Sequence, residues 1–303
     1  MHYRELGKSG VMVSEVGLGG NRLGQEYASD DFWRDLIYHA VELGITVFDT
    51  AEAYEWGRSE EMLGLALGNR DDVVVATKMC RIRETGEQDY TAERMMKTVE
   101  GSLRRLRRDV IDIYQLHSPR RESMERDNWA EGMAKLKAQG KIRLSAVAVN
   151  SAADGIWLME QDLVDVLQIT YNIFDIEVEN KLLPLAEKTG VGLLCRMPLA
   201  RGVLTGKFHL GQNVPAGHRA LLDGDEMWDN VRKADQLRPI AEDYEGSMTR
   251  IAHHFSLTPR AVSAIIPGAR TLKQVEENAS ASNGTGLPAD IRREIMDIRA
   301  AWE

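Results

Sequence analysis

The segment Gly17-Leu18-Gly19-Gly20-Asn21-Arg22-Leu23-Gly24 ends the first apolar run of the chain and separates two possible folds. In doubly wound α/β folds this place usually carries Gly-x-Gly-x-x-Gly, whose third glycine lets a helix pack closely on the strand. Here the position three residues after Gly19 is Arg22. The failed pattern disfavours an open doubly wound sheet.

Eight short apolar runs follow one another along the chain, and segments with helical spacing separate them. Near-continuous apolar runs indicate strands buried on both faces, as in a parallel sheet covered by helices. Together with the failed glycine pattern, eight such strands predict an α/β fold of the (β/α)8 TIM-barrel type. The predicted strands are Glu15–Gly19, Thr46–Asp49, Asp72–Lys78, Val110–His117, Ile142–Val149, Val164–Thr170, Val191–Met197 and Val262–Pro267. The predicted helices are 32–43, 59–67, 91–106, 129–138, 152–160, 178–189, 237–255 with a break, and 271–279.

Three further expectations concern organisation. Tyr3 to Ser14, with turn residues Gly7-Lys8-Ser9-Gly10 at its centre, predicts a β-hairpin ahead of the first barrel strand, where it would plug the bottom of the barrel. No linker, low-complexity tract or repeat divides the chain, so we expect a single domain over residues 1–303. The longest interruption, Phe208 to Asn230, is predicted to be a lid or binding loop, or else a locally disordered one.

Composition excludes several classes of protein. The 303 residues are 43% hydrophobic and 28% charged, as in ordinary globular proteins, and no run approaches the roughly 18 apolar residues of a membrane-spanning helix. A net charge of −9, from 38 Lys and Arg against 47 Asp and Glu, disfavours nucleic acid and anionic membranes as partners. Cys80 and Cys195 are too few for a disulfide framework, and the N-terminus lacks a secretory pattern, so we expect a cytoplasmic protein.

Four polar side chains fall at or just after the ends of consecutive predicted strands. Asp49 ends the second strand and Tyr54 lies in the loop after it. Lys78 ends the third strand, and His117 ends the fourth. Because the active site of such a barrel lies at the carboxyl ends of its strands, these side chains are expected to converge.

The four side chains together suit the protonation of a carbonyl oxygen. Lys78 follows an apolar strand and needs an anion such as Asp49, although that pair alone could be purely structural. A phenol is a poor acid at neutral pH, and a nearby cation stabilises the phenolate, so Tyr54 is a candidate proton donor. A lone histidine after a strand more often fills the core, but within this set His117 is a candidate to hydrogen-bond the substrate oxygen. The set contains no nucleophile and no source of electrons.

The sequence around these residues resembles the aldo-keto reductases. The resemblance runs from about Arg4 to Ala279 and is carried by Gly44-Ile45-Thr46-Val47-Phe48-Asp49-Thr50-Ala51-Glu52-Ala53-Tyr54, Ser59-Glu60, Ala76-Thr77-Lys78 and Asp112-Ile113-Tyr114-Gln115-Leu116-His117. It implies a (β/α)8 barrel that transfers a hydride from NADPH to an aldehyde or ketone. Tyr54 would be the general acid, and Lys78 and Asp49 would tune it. His117 would orient the carbonyl group.

Later segments resemble the cofactor-binding parts of the same family. Ile265-Ile266-Pro267-Gly268-Ala269-Arg270 looks like the segment for the adenosine 2′-phosphate, where helix N–H groups and a guanidinium can hold phosphate. The stretch Pro198 to Lys207 resembles the pyrophosphate loop. The resemblance therefore implies NADPH/NADP+ rather than NADH. The expected cofactor contacts are Gly20, Asn21, Arg22, Asn150, Gln168, Arg196, Pro198, Leu199, Gly202, Lys207, Ile266, Gly268, Arg270, Gln274, Glu277 and Asn278.

Three positions depart from the family pattern. Val149 stands where the family often has serine, which removes one polar contact to the nicotinamide carboxamide; Asn150 and Gln168 match the positions that hold this group. Arg196 replaces the usual aromatic residue that stacks on the nicotinamide, and because a guanidinium plane can also stack on a ring, we expect it to contact the cofactor. Trp56 is either an apolar wall beside the chemistry or simple packing.

Other interpretations stay open. The barrel could be an NADP-binding regulatory or sensor subunit, for instance of a channel, with little turnover, or an NADP-linked dehydrogenase of sugars or cyclitols. Arg120-Arg121 could face the substrate opening or be solvated. His253-His254 lack a third ligand at metal spacing, so no metal is predicted. The sequence leaves open which small carbonyl compound or polyol is the substrate, and whether the protein is a monomer or a homo-oligomer.

Overall fold

The fold is an eight-stranded parallel barrel preceded by a two-stranded antiparallel hairpin, as seen in a computed structural model that describes residues 1–214 and 218–302. The hairpin consists of β1 (Tyr3–Glu5) and β2 (Met12–Ser14). The barrel strands are β3 (Leu18–Gly19), β4 (Val47–Asp49), β5 (Val74–Met79), β6 (Ile111–His117), β7 (Ile142–Ala148), β8 (Val166–Thr170), β9 (Gly192–Arg196) and β10 (Val262–Ile265).

Each barrel strand pairs in parallel with the next strand along the chain, from β3 to β10. Two parallel bridges, Val16 to Ile265 and Gly19 to Gly268, join the first and last strands and close the barrel. The predicted (β/α)8 barrel with an N-terminal hairpin is confirmed, and the glycine-rich segment after β3 forms part of the closing seam.

Helices surround the barrel, and five of them begin at side-chain caps. Ser29, Thr91, Ser151, Ser247 and Thr271 each accept a backbone N–H from the helix that follows, which satisfies one of its otherwise unpaired donors. The helices are α1 (Asp30–Glu42), α2 (Arg58–Ala66), α3 (Ala92–Leu106), α4 (Arg121–Arg126), α5 (Trp129–Ala138), α6 (Ala152–Glu160), α7 (Leu182–Thr189), α8 (Glu226–Gln236), α9 (Arg238–Asp243), α10 (Met248–Leu257), α11 (Leu272–Ala279) and α12 (Ala289–Ala300). None of the helices in the described residues is long and apolar enough to span a membrane.

The helix expected over 237–255 is broken, as predicted. Glu245 and Gly246 between α9 and α10 both have positive φ, 56° and 64°, a conformation that interrupts a helix. The helix expected over 178–189 begins later, at Leu182, after a short 3-10 turn at Glu177–Glu179.

The predicted interruption from Phe208 to Asn230 contains more regular structure than expected. Arg219–Asp223 forms a 3-10 turn, and α8 begins at Glu226 inside the predicted loop. Met227 and Val231, four residues apart, are buried and hold α8 against the core. Residues 215–217, which belong to the predicted lid, lie outside the described part of the chain.

The interior of the barrel has two layers with opposite polarity. We use the name apolar layer for the interior residues at the hairpin end: Leu6, Val11, Val13, Val47, Val74, Ala76, Ile113, Ala146, Val166, Leu194 and Ala264. Leu6 and Val13 of the hairpin region are fully buried there, which confirms the predicted plug. Further along the same strands lies the polar layer: Asp49, Lys78, Gln115, Gln168 and Arg196. Side chains two residues apart on a strand share a face, so the same strands supply both layers.

Candidate active site

A buried ion pair lies in the polar layer. Lys78 Nζ donates hydrogen bonds to Asp49 Oδ2 at 2.6 Å and to the backbone oxygen of Thr50 at 2.7 Å. Lys78 is fully buried, and Asp49 is 3% exposed. Burial by itself lowers the pKa of Lys78, but the adjacent Asp49 carboxylate, together with Tyr54 and Cys80, outweighs it, and the pKa is raised above its usual value. The lysine is therefore a fixed cation beneath the cavity.

The second carboxylate oxygen of Asp49 is held by two amides. Gln115 Nε2 donates to Oδ1 at 3.0 Å, and Gln168 Nε2 donates to the same oxygen at 2.8 Å. A buried carboxylate is tolerated only when such partners replace water, so this network fixes the position of the ion pair. Gln115 was not among the predicted site residues. Its place in the site could have been inferred from the sequence, because Gln115 lies two residues before His117 and so faces the same side of β6.

Tyr54 and His117 lie directly above the ion pair. The centre of the Tyr54 ring is 5.2 Å from Lys78 Nζ, and the Tyr54 and His117 ring centres are 5.6 Å apart with nearly perpendicular planes. Tyr54 begins a 3-10 turn, Tyr54–Gly57, in which Trp56 has φ 50°. The four side chains predicted to converge do so. Trp56 does not wall the site, because it is 53% exposed and stacks under the Arg83 guanidinium at 4.2 Å.

His117 is a neutral imidazole. Burial, followed by the charges of Lys78 and Arg196, lowers its pKa to about 3. Its Nδ1 lies 2.9 Å from Cys80 Sγ, a contact that the sequence did not suggest. With one ring nitrogen engaged by the thiol, the other is left for a ligand in the cavity.

A cavity of about 570 Å³ runs from this point to the start of α11. Tyr54 and His117 line one end of it and Arg270 the other. All of the predicted cofactor contacts except Asn150 lie on its wall: Gly20, Asn21, Arg22, Gln168, Arg196, Pro198, Leu199, Gly202, Lys207, Ile266, Gly268, Arg270, Gln274, Glu277 and Asn278. Thr205, within the predicted pyrophosphate loop, also lines the cavity, and further lining residues that were not predicted include His218 and Thr249.

The α11 end of the cavity is cationic. Burial and the nearby Arg270 lower the pKa of Lys207. Burial and the charges of Lys207, Arg270 and Arg22 lower the pKa of His218 to about 4, and its Nε2 lies 3.0 Å from Lys207 Nζ. Cations that disfavour one another's protonation are stabilised when an anion enters between them. The start of α11 lies at the same end, and because the N-terminus of a helix favours anions, this end fits phosphate.

Arg196 is anchored rather than free to lie flat on a ligand. Its Nε donates to Thr170 Oγ1 at 3.1 Å, and its Nη1 donates to Ser118 Oγ at 3.2 Å. Its Nη2 donates to the backbone oxygen of Val149 at 2.9 Å and to Asn150 Oδ1 at 3.3 Å. Asn150, predicted to hold a carboxamide, is therefore engaged by Arg196 and lies off the cavity wall.

The second arginine of the pair 120–121 faces a helix. Arg121 forms an ion pair with Asp154 at 3.2 Å, and its guanidinium lies 4.1 Å from the Trp157 ring centre, both on α6. It is thus tied to the outer helices. Among residues 1–214 and 218–302, no group of three or more His, Cys, Asp or Glu side chains is arranged to hold a metal ion.

The residues at the two ends of the cavity fit a phosphorylated dinucleotide. One end presents the donors and cations that phosphate requires, and the other presents a tyrosine and a neutral histidine over a buried lysine. A closed barrel with such a cluster at the carboxyl ends of its strands is the arrangement of a barrel enzyme.

The chain belongs to the aldo/keto reductase family, whose family model matches residues 15–299. The match confirms the resemblance found in the sequence and extends it beyond Ala279 through most of α12. Members of this family are oxidoreductases that use nicotinamide cofactors on small carbonyl compounds.

Three similar proteins illustrate the range of the family. A probable voltage-gated potassium channel subunit beta of Oryza sativa is 32% identical over 308 residues, covering 93% of this chain and 91% of the relative. The NADH-specific methylglyoxal reductase of Escherichia coli is 32% identical over 330 residues, covering 96% and 97%. The structure of aldo-keto reductase AKR11C1 from Bacillus halodurans in its holo form superposes with a TM-score of 0.83 at 28% identity, covering 98% of this chain and 96% of that one.

Proposed function

We propose that this protein reduces the carbonyl group of a small aldehyde or ketone to an alcohol, with NADPH as the hydride donor. The observation that carries the proposal is the meeting of Tyr54 and His117 over the buried Lys78–Asp49 pair, at one end of a cavity whose other end is cationic. The name of the Escherichia coli relative, a methylglyoxal reductase, supports a small aldehyde as substrate.

Tyr54 is the proton donor in this proposal. When bound, the reduced nicotinamide supplies a hydride to the carbonyl carbon, and the Tyr54 hydroxyl gives its proton to the carbonyl oxygen. The Lys78 ammonium, 5.2 Å from the ring centre, stabilises the negative charge that develops on the phenol oxygen. Neutral His117 donates a hydrogen bond to the same carbonyl oxygen and so orients the substrate. Asp49 keeps Lys78 charged in a buried place.

Arg270 sets the preference for NADPH in this proposal. Its guanidinium lies at the cationic end of the cavity, beside the start of α11, where a 2′-phosphate would find both charge and backbone donors. Lys207 serves the pyrophosphate. The loop Ala200–Thr205 permits close approach there, because Gly202 has φ 98°, a conformation suited to glycine.

The first experiment measures turnover. The protein is mixed with NADPH or NADH and with methylglyoxal, glyceraldehyde and a panel of larger aldehydes and ketones, and the absorbance of the reduced nicotinamide is followed. We expect consumption of NADPH with at least one small aldehyde and slower consumption of NADH. Tight cofactor binding without turnover on any compound would refute the proposal and favour a regulatory subunit.

Two substitutions separate the roles within the site. Tyr54→Phe is expected to lower kcat by about 10²–10⁴-fold, the usual contribution of a general acid, while the Kd for NADPH stays unchanged. Arg270→Gln is expected to raise the Kd for NADPH by about 10–100-fold, since hydrogen bonds to charged groups contribute about 1.5–3 kcal/mol, and to leave the Kd for NADH unchanged. The exposed Arg260 does not line the cavity, so Arg260→Gln is the matched control.

A further inference from the structure

Cys80 contacts His117, the predicted catalytic histidine, from outside the cavity. It follows β5 directly, is 3% exposed, and places its Sγ 2.9 Å from His117 Nδ1. The thiol does not line the cavity, and the proposed reaction assigns it no chemical step. Any effect it has on the reaction therefore acts through the imidazole.

Both partners of this contact are uncharged at neutral pH. Burial, with the nearby Glu52 carboxyl as a further cause, raises the pKa of Cys80 to about 12. Burial and the cations Lys78, Arg196 and Arg81 lower the pKa of His117 to about 3. The contact thus joins a thiol that keeps its proton to an imidazole that carries a single proton.

Two arrangements of these protons are possible. In the first, the thiol donates to Nδ1, and the ring proton resides on Nε2. In the second, Nδ1 donates to sulfur, and the thiol turns to the backbone oxygen of Lys78, which is 3.6 Å from Sγ. Sulfur is a weak acceptor, whereas an unprotonated imidazole nitrogen is a good acceptor. The shorter contact and the stronger acceptor favour the first arrangement.

We propose that Cys80 is a positioning residue: its thiol donates to Nδ1 of His117 and holds the ring in the tautomer with the proton on Nε2. That tautomer leaves Nε2–H as the ring's donor for the cavity. With the opposite tautomer, an unprotonated Nε2 would meet the lone pairs of a carbonyl oxygen. The consequence for catalysis rests on the proposed function, whereas the tautomer is a property of the protein by itself.

The chain contains a matched control for this thiol. Cys195 is also buried and unpaired, and burial raises its pKa to about 12 as well. Its Sγ lies 3.0 Å from the backbone oxygen of Tyr171. Substitution of Cys195 therefore removes the same kind of buried thiol without altering a contact of His117.

The direct test is ¹⁵N NMR of histidine side chains in the full-length protein without ligands, with His117 assigned from the spectrum of His117→Asn. Protonated and unprotonated ring nitrogens have widely separated shifts. We expect His117 to show a protonated Nε2 in wild type, in Cys80→Ser and in Cys195→Ala, and a measurable population of the Nδ1–H form in Cys80→Ala. A protonated Nδ1 in wild type, or an unchanged tautomer in Cys80→Ala, would overturn the proposal.

Kinetics then test the consequence. Cys80→Ala is expected to lower kcat by about three- to tenfold, the range of one neutral hydrogen bond, with the Kd for NADPH unchanged. Cys80→Ser, which keeps a donor, should recover most of the loss, and Cys195→Ala should show none. Equal losses in Cys80→Ala and Cys80→Ser would mean that only packing matters. If wild type has no turnover at all, the proposed function fails, while the NMR result still decides the tautomer.

Discussion

The two layers of the barrel interior are built from the same strands but tolerate burial for different reasons. In the apolar layer, Leu6 of the hairpin region packs among aliphatic side chains that need no specific partner. In the polar layer, Asp49 and Lys78 are also buried, but their polar atoms have specific partners. Lys78 donates to one carboxylate oxygen of Asp49, and Gln115 and Gln168 donate to the other. The cost of a change in the apolar layer therefore follows the volume removed, and the cost in the polar layer follows the charge left unpaired.

The position of the hairpin explains why the barrel can carry an ionic layer at one end. The plug closes the barrel at the hairpin end with apolar side chains, whereas the cavity lies at the end where the strands terminate. The apolar, closed end of the barrel and the end that holds the candidate active site are thus separated along the barrel axis, a few residues apart on each strand. Four predictions test how complete this separation is.

The largest effect is expected for Lys78→Met. Removal of the ammonium leaves the buried Asp49 carboxylate without its cation, which should lower the free energy of unfolding by about 3–5 kcal/mol and abolish turnover. Urea denaturation and kcat measure the two losses. In the double variant Asp49→Leu with Lys78→Met, the stability should largely return while turnover stays absent. A single variant as stable as wild type would show that water or the amides compensate the charge.

The next effect is expected for Leu6→Ala in the apolar layer. Leu6 is fully buried, and truncation of such a leucine usually costs about 2–5 kcal/mol, depending on how far the cavity collapses. Because the plug lies at the closed end, kcat per folded molecule should equal that of wild type. A fall in kcat larger than twofold would mean that the two layers are mechanically coupled.

Much of this arrangement was predictable because barrel strands follow simple periodicity. The apolar runs placed all eight strands, and the rule that polar residues at strand ends meet in one place brought Asp49, Tyr54, Lys78 and His117 together. Tyr3 to Ser14 also formed the expected hairpin. These features depend on the local pattern of apolar residues and on the order of the strands along the chain, and both can be inferred from short stretches of sequence.

The features that escaped prediction depend on which side chains face each other across the fold. The orientation of Arg196 is set by acceptors on Ser118, Thr170 and Asn150, which are far apart in sequence, so a stacked guanidinium could not be distinguished from an anchored one. The C-terminal helix α12 was not predicted, although Ile291, Ile295 and Ile298 recur at helical spacing; of these only Ile295 is buried, and the other two are partly covered by the core.

A third prediction uses pH to compare the apolar layer with His117, which lies above the polar layer. The pKa of His117 is about 3 in the folded protein, below its ordinary value of about 6.5. Below about pH 6.5 His117 binds a proton in the unfolded chain but not in the folded protein. The free energy of unfolding is therefore unaffected by His117 above that pH, and it falls by up to about 1.4 kcal/mol per pH unit down to about pH 3.

The measurement compares unfolding free energies between pH 7 and pH 4. His117→Asn should remove its share of the slope, so that the variant loses less stability than wild type on acidification. Leu6→Ala should shift the whole curve downward with its slope intact, because the apolar layer contains no titrating group. An unchanged slope in His117→Asn would place the acid sensitivity elsewhere, for instance at His253, whose pKa is also lowered to about 3 by burial.

The smallest effect concerns Arg196, the cation of the polar layer that lines the cavity. The oxidised nicotinamide carries a positive charge and the reduced form does not, so a fixed guanidinium nearby should weaken NADP+ relative to NADPH. Arg196→Gln is expected to lower the ratio of Kd for NADP+ to Kd for NADPH by about fivefold, or about 1 kcal/mol, the size of a Coulomb interaction at about 4 Å in a water-like medium. Arg196→Lys keeps the charge but loses the hydrogen bonds to Thr170 and Ser118, so it should keep the ratio. If both variants change the ratio equally, the anchoring of Arg196 matters rather than its charge, and the polar layer acts on the cofactor through geometry alone.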